Sequence, residues 1–279
     1  MGKTGSLFGD EGDVNLSAKS ARPPAAGTPS VDLTPVARPP ASSDVIAFDI
    51  EIANEFELRP GEDLESHGPF DISCAASTTA DGGVRHWFAR GPDGKPARHI
   101  DAAMARDVLT FLRGEQRRGA CVCAWNGMSF DVRWLGHVAG DMQLAAEVAL
   151  DLYDPMLQFV ARRGFPIGLA STADGMGIVE TKLMAGADAP KEWARGNHQK
   201  VLDYVAGDCR LTREVVNRIV ARREVRWRTK KGTISSESFP RLERVRDVMR
   251  MPAPDTSWMS EPKPWDSWFT WLAPFANAR

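Results

Sequence analysis

The stretch VIAFDIEIA, residues 45–53, decides how the chain is read. In an extended backbone it places Ile46, Phe48, Ile50 and Ile52 on one face and Val45, Ala47, Asp49 and Glu51 on the other. One face is wholly apolar. The other begins apolar and then carries two carboxylates, which predicts a strand displaying two acids side by side.

Outward from this strand, DISCAASTTA (71–80) and GVRHWFA (83–89) read as two further strands joined by the turn Ala80-Asp81-Gly82-Gly83. Residues 98–116 carry helical spacing of Ile100, Met104, Val108, Leu109 and Leu112, ending near Gly119. ACVCAW (120–125) then reads as a short strand buried on both faces. Ser129 is placed to cap a helix from Phe130 to about Val148, interrupted near Gly140. ALDLYD (149–154) is expected as a fifth strand, and Asp154-Pro155 as the start of a short helix. Residues 165–196 are rich in Gly and Pro and predict short helices and loops. Asn197 is then expected to cap a long helix with Val201, Tyr204, Val205, Leu211, Val215, Val216 and Ile219 as its apolar stripe. The order predicts an α/β fold, a mixed five-stranded sheet flanked by helices.

Three regions follow. Residues 1–43, rich in Ala, Pro, Ser and Gly, read as a disordered tail; 44–222 hold the predicted sheet; 223–279 form a basic, Trp-rich extension packing on the domain. The formal net charge of −2 gives no global sign of a polyanionic partner, so any such signal must be local. Cys74, Cys121, Cys123 and Cys209 form no zinc-ligand spacing, and Cys121 and Cys123 read as small buried strand residues. No signal-peptide core and no run near the ~20 apolar residues of a membrane span occur, so the expectation is a cytoplasmic protein without membrane attachment. His67, His86, His99, His137 and His198 stand in no metal-ligand spacing.

Four acidic positions then matter together. Asp49 and Glu51, two apart on one strand, can both reach one hard cation, although a solvated strand face would look the same. Tyr204 and Asp208, four apart on the long helix, share a face, as a core-edge tyrosine and a surface acid also would. Asp131, in NGMSFD after the apolar strand, falls just beyond that strand's end; a carboxylate in a first helical turn also simply suits the helix dipole.

In this order, DxE on a strand, NxxxFD between strand and helix, and YxxxD on a late helix resemble the DEDDy family of 3′–5′ exonucleases. Within it the likeness is to stand-alone predicted exonucleases related to the proofreading domain of family B DNA polymerases. It covers roughly residues 44–222. The position where the sister subclass has histidine is Asp203 here, which points to the tyrosine subclass.

The resemblance implies a ribonuclease H-like fold and hydrolysis from a free 3′ end, releasing nucleoside monophosphates, with two divalent cations, Mg or Mn, held by Asp49, Glu51, Asp131 and Asp208. Asp49 would bridge the ions, Glu51 and Asp208 would complete the first, and Asp131 would hold the second. Tyr204 would orient the attacking water; with an ordinary pKa near 10 it is no formal base. The expected partner is nucleic acid, single-stranded and with DNA slightly favoured over RNA. Proofreading in trans, repair, end trimming and RNA maturation all fit. A non-catalytic nucleic-acid-binding module on this fold and a ribonuclease H or integrase-like endonuclease are the alternatives.

Between Arg213 and Arg250 stand twelve Arg or Lys against five Asp or Glu, a local basic excess. Arg222, Arg226, Arg228 and Lys230, with Asn126 and Phe130 beside Asp131, are therefore candidate nucleic-acid contacts. Trp265, Trp268, Phe269 and Leu272, after Pro264, describe an apolar helix face docking on the domain more readily than a base-stacking platform. Lys182 lies in KLMAGADAPKEWARG, a segment that also resembles those exonucleases.

Overall fold

The alternation at 45–53 folds as β1 (Val45–Ile52), an inner strand of a sheet with β2 (Ile72–Thr78), β3 (Val84–Trp87) and β4 (Cys121–Cys123) in the order β3–β2–β1–β4. This computed structural model describes residues 44–276 apart from 58, 60, 61, 63 and 180–182. The tail expected over 1–43, and Lys182, lie outside the described residues. β1 runs antiparallel to β2 and parallel to β4, so the sheet is mixed. The β2–β3 turn closes as expected, with the Thr79 amide donating to Gly83 O and Gly82 at φ 89°, which needs no Cβ to accommodate.

Apart from two four-residue α-helices nearer the C-terminal end, the α-helices are α1 (Ala102–Arg117), α2 (Asp131–Ala139), α3 (Met142–Asp151), α4 (Pro155–Arg163), α5 (Leu169–Gly175), α6 (Ala189–Ala194) and α7 (His198–Arg222). Ile46, Phe48, Ile50 and Ile52 pack against Val108, Leu109 and Leu112 of α1 and Val132 and Leu135 of α2. On the opposite face Val45 and Ala47 meet Val216 of α7, while Cys74 and Ala76 of β2 meet Tyr204, Val205 and Cys209. Helices thus cover both faces, and α7 lies over the face that bears Asp49 and Glu51. All four cysteines are free and buried.

The expected fifth strand does not form. Asp141 accepts the Leu144 amide and caps α3, which runs through Asp151, and Pro155 opens α4. Leu152, Tyr153 and the cap residue Asp154 remain extended between them, and Tyr153 makes a single parallel bridge to Cys123. The interruption at Gly140 is where it was expected, at φ 63°. Ser129 does not cap α2: Phe130 holds that position, and the Ser129 hydroxyl donates instead to Trp268 O at 3.0 Å. Asn197 occupies the start of α7 without a side-chain cap, its amide turned to Glu192.

After α7, β5 (Glu224–Arg228) and β6 (Ile234–Ser238) form a hairpin whose Val225 and Trp227 join Leu211, Val215 and Ile219 in a second core. The segment after Pro264 is 3-10 helix, Trp265–Leu272, broken at Phe269, rather than an α-helix. Its side chains do dock: Leu272 is fully buried, and Trp265, Trp268, Phe269 and Trp271 lie against the main core. Trp271 Nε1 donates to Met128 O at 3.1 Å, which fixes the loop leading to Asp131.

Gly175 marks the closest approach of α5 to the hairpin, since a Cβ there would stand 2.4 Å from Trp227 Cα. The obstacle is backbone and cannot swing away. Gly175→Ala is expected to lower stability by about 1–3 kcal/mol, as overpacking does, read from denaturant midpoints; an unchanged midpoint would contradict the tight contact.

Candidate metal centre

Asp49 and Glu51 project from β1 opposite Ala76 and Cys74 of β2, toward α7. Immediately after Glu51 the β1–β2 register shifts by a bulge. Such irregularities re-aim side chains near sites. Asp208, on α7, completes a group: Asp49, Glu51 and Asp208 each offer an oxygen within 4.8 Å of the other two.

Asp131 enters from the remaining side. β4 ends at Cys123, and beyond that end the Ile50 amide of β1 donates to Asp131 Oδ1 at 3.1 Å. Asp131 also shares a hydrogen bond with Asp49, which links it to the other three. All four sequence-predicted carboxylates therefore meet, brought from one strand and two helices.

The electrostatics are one-sided. Burial, then the charges of Asp131, Asp208 and Glu51, push the Asp49 carboxyl far above its ordinary range. Burial, Asp208 and Asp131 do the same to Glu51. Asp131 is raised to about 7, chiefly by burial and against the opposing effect of its hydrogen bonds. Every charge acting on Asp49 and Glu51 is acidic, so the set either holds protons or needs cations. The donor set fits a hard divalent ion, all oxygen and with charge to spare.

Tyr204 lies one helical turn before Asp208, is 7% exposed, and hydrogen-bonds to Asp208. Burial and the neighbouring Asp208 and Glu51 charges raise its pKa, so the hydroxyl stays protonated and available as a donor.

Asn126 and Phe130 flank the site in the loop before α2. Asn126 is buried at φ 64°, and its Oδ1 has no hydrogen-bond partner among the described residues. Phe130 is half-buried against Phe70 and Trp134. The basic candidates lie elsewhere. Arg228 is clamped by both oxygens of Asp174, and Arg226 pairs with Glu224 at 2.7 Å. Arg222 is exposed at the last turn of α7, about 21 Å along the helix from Asp208 at 1.5 Å per residue. Lys230 is exposed on the hairpin turn.

One organising residue was missed. The sequence places Asp154 at a strand end and a helix start, and it does accept the Leu157 amide at 3.1 Å. Its buried carboxylate also accepts the amides of Asn126 and Met128, both at 3.2 Å, and so holds the loop that delivers Asp131. The helix-start signal was visible, whereas bonds to residues 26 and 28 positions away leave no local trace. Burial raises the Asp154 pKa to about 6 despite these bonds. Asp154→Ala leaves three amides without their acceptor and is expected to cost about 3 kcal/mol or more at one to three per buried group, measured by urea unfolding in chelator. A loss below about 1 kcal/mol would mean that water replaces the carboxylate.

The chain matches no protein-family model and no curated protein. Among the described residues no helix is long and apolar enough to cross a membrane.

Proposed function

We propose that this protein is a metal-dependent 3′–5′ exonuclease of the ribonuclease H-like fold. One observation carries the reading: four carboxylates from β1, α2 and α7 converge, Glu51 and Asp131 buried and Asp49 and Asp208 half-buried, with acidic charges acting on Asp49 and Glu51. Such a set is unfavourable by itself and becomes favourable when cations neutralise it. The mixed sheet covered on both faces by helices, with Tyr153 beside β4, supports the fold assignment.

Asp49, Glu51 and Asp208 would hold one divalent ion, and Asp131 with Asp49 a second. Bound there, Mg²⁺ or Mn²⁺ would supply charge neutralisation at the phosphodiester and acidify water. Tyr204, neutral and bonded to Asp208, would orient the attacking water. Attack at phosphorus breaks the bond to the preceding O3′, which leaves with a proton; a nucleoside monophosphate departs and the shortened strand ends in a 3′-hydroxyl.

The test is digestion of 5′- and 3′-labelled single-stranded DNA and RNA with Mg²⁺ or Mn²⁺, beside an Asp49→Ala/Glu51→Ala control. A ladder shortening from the 3′ end, lost with chelator and in the control, is the expected result, and the better substrate names the sugar. Cleavage of a circular single strand would point instead to an endonuclease, and binding without cleavage to a non-catalytic module.

A further inference from the structure

The face of α7 beyond Asp208 borders two adjoining clefts. The first, of about 290 Å³, is lined by Ile178, Val179, Leu183, Tyr204, Asp208 and Leu211, together with Arg210 and Glu214. The second, of about 350 Å³, continues past Arg210, Arg213 and Asn217 to the β2–β3 turn. Arg210 lines both. The first is close in size to the smallest small-molecule sites, roughly 300 Å³.

Its lining is unusual in two respects. Val179 is 98% exposed and Leu183 52%, and they are two of the four large apolar side chains most exposed among the described residues. Isolated exposed apolar groups need no explanation, but two in one cleft that also contains Tyr204 and Asp208 form a surface suited to an apolar ligand face. One charge on this side is also uncommitted. Arg210 is exposed and has no hydrogen-bond or ion-pair partner among the described residues, while Glu214 is held by Arg218 at 2.8 Å. By contrast, Arg226 and Arg228 of the basic hairpin are engaged by Glu224 and Asp174.

We infer that Arg210 grips a backbone phosphate of the single strand at the mouth of the site, while the cleft walled by Ile178, Val179, Leu183 and Leu211 receives the 3′-terminal nucleoside. This rests on the exonuclease reading. Apolar walls accept any base face, and a guanidinium pairs with phosphate in a fork. The strand would then enter along α7 toward the β2–β3 turn rather than across the basic hairpin.

The experiment uses the full chain in two forms. In the Asp49→Ala/Glu51→Ala protein, binding of a fluorescent single-stranded oligonucleotide is followed by anisotropy across a salt series. Arg210→Ala is expected to weaken binding about 5- to 10-fold at low salt and to reduce the salt slope by about 0.7, one single-strand phosphate contact. Arg210→Lys should retain most of that slope, and Arg228→Ala should leave affinity and slope near the parent's. In the otherwise unaltered protein, Arg210→Ala should raise KM with little change in kcat. Arg210 is exposed on a helix, and matching thermal midpoints check that the variants fold.

If the protein digests 3′ ends yet Arg210→Ala leaves KM, affinity and slope unchanged, the inference is overturned and the exonuclease reading stands. If nothing is cleaved but Arg210→Ala still weakens binding, the exonuclease reading falls and the phosphate contact at Arg210 is upheld. Absence of oligonucleotide binding in the parent overturns the inference outright.

Discussion

With Mg²⁺ or Mn²⁺ present, Asp49→Ala is expected to slow 3′-end digestion by on the order of 10³-fold or more, the loss of roughly 4 kcal/mol of transition-state stabilisation. Tyr204→Phe is expected to slow it only about 10- to 100-fold, the worth of one hydrogen bond to a charged group. The difference follows from position. Asp49 offers an oxygen within 4.8 Å of those of Glu51 and Asp208 and also bonds to Asp131, so its removal divides the carboxylate set. Tyr204 touches the set at one point, through Asp208, and contributes a neutral donor. Time courses on one labelled strand give both rates. Equal losses in the two variants would refute this division of labour.

Metal-free protein is expected to become more stable as the pH is lowered through about 7, and a divalent ion to reverse the preference. The sign follows from the direction of the shifts. An acid whose pKa is higher in the folded state binds more protons folded than unfolded between the two values, so stability falls as pH rises through that window. For Asp131 the window runs from an ordinary value of about 3.9 up to about 7. Asp49 and Glu51 are shifted in the same direction and add to the effect. In chelator at pH 8, Asp131→Asn should therefore melt above the parent protein, and the gap should narrow as the pH falls. Mn²⁺ at about 100 times its dissociation constant should stabilise the parent by about 2.7 kcal/mol, or roughly 5–10 °C in a domain of this size. At a fixed Mn²⁺ concentration that gain should be larger at pH 8 than at pH 6, and smaller in Asp131→Asn, which keeps the three carboxylates proposed for the first ion. Thermal scans in chelator and in Mn²⁺ read all three. A parent protein indifferent to metal and pH would mean that the carboxylates are satisfied by something other than cations.

Much of this site could be read from local pattern because its parts are held by regular elements. The period of two in VIAFDIEI fixed which side Asp49 and Glu51 take, and the period of four between Tyr204 and Asp208 placed them on one helix face. Asp131 was legible as a position past a strand end, and the structure adds its bond to the Ile50 amide. The apolar spacing after Pro264 foretold docking but not the 3-10 geometry, since Trp265, Leu272 and the residues between pack against whatever surface they meet.

The failures share a cause. ALDLYD has strand-like residues, but Asp141 and Pro155 fix helices on either side, leaving room for one bridging residue. Ser129 and Asn197 have capping chemistry, yet each side chain found another partner, Trp268 O and Glu192. The basic excess around the hairpin is legible in the sequence, whereas its pairing of Arg226 with Glu224 and of Arg228 with Asp174 is not.

Burial of the thiols couples the molecule's redox chemistry to its folding. Burial pushes the Cys121 pKa up to about 12 and raises those of Cys74, Cys123 and Cys209 as well, so the reactive thiolate is suppressed in every case. Cys74 stands across the sheet from Glu51, and Cys209 adjoins Asp208 with its thiol donated to Ala76 O at 3.2 Å. An oxidant that cannot open the sheet meets no nucleophile, and one that reaches these sulfurs has already parted α7 from β2. Thiol oxidation in this protein is thus expected to follow unfolding, and ions bound as proposed at the carboxylates would shield the cysteines beside them.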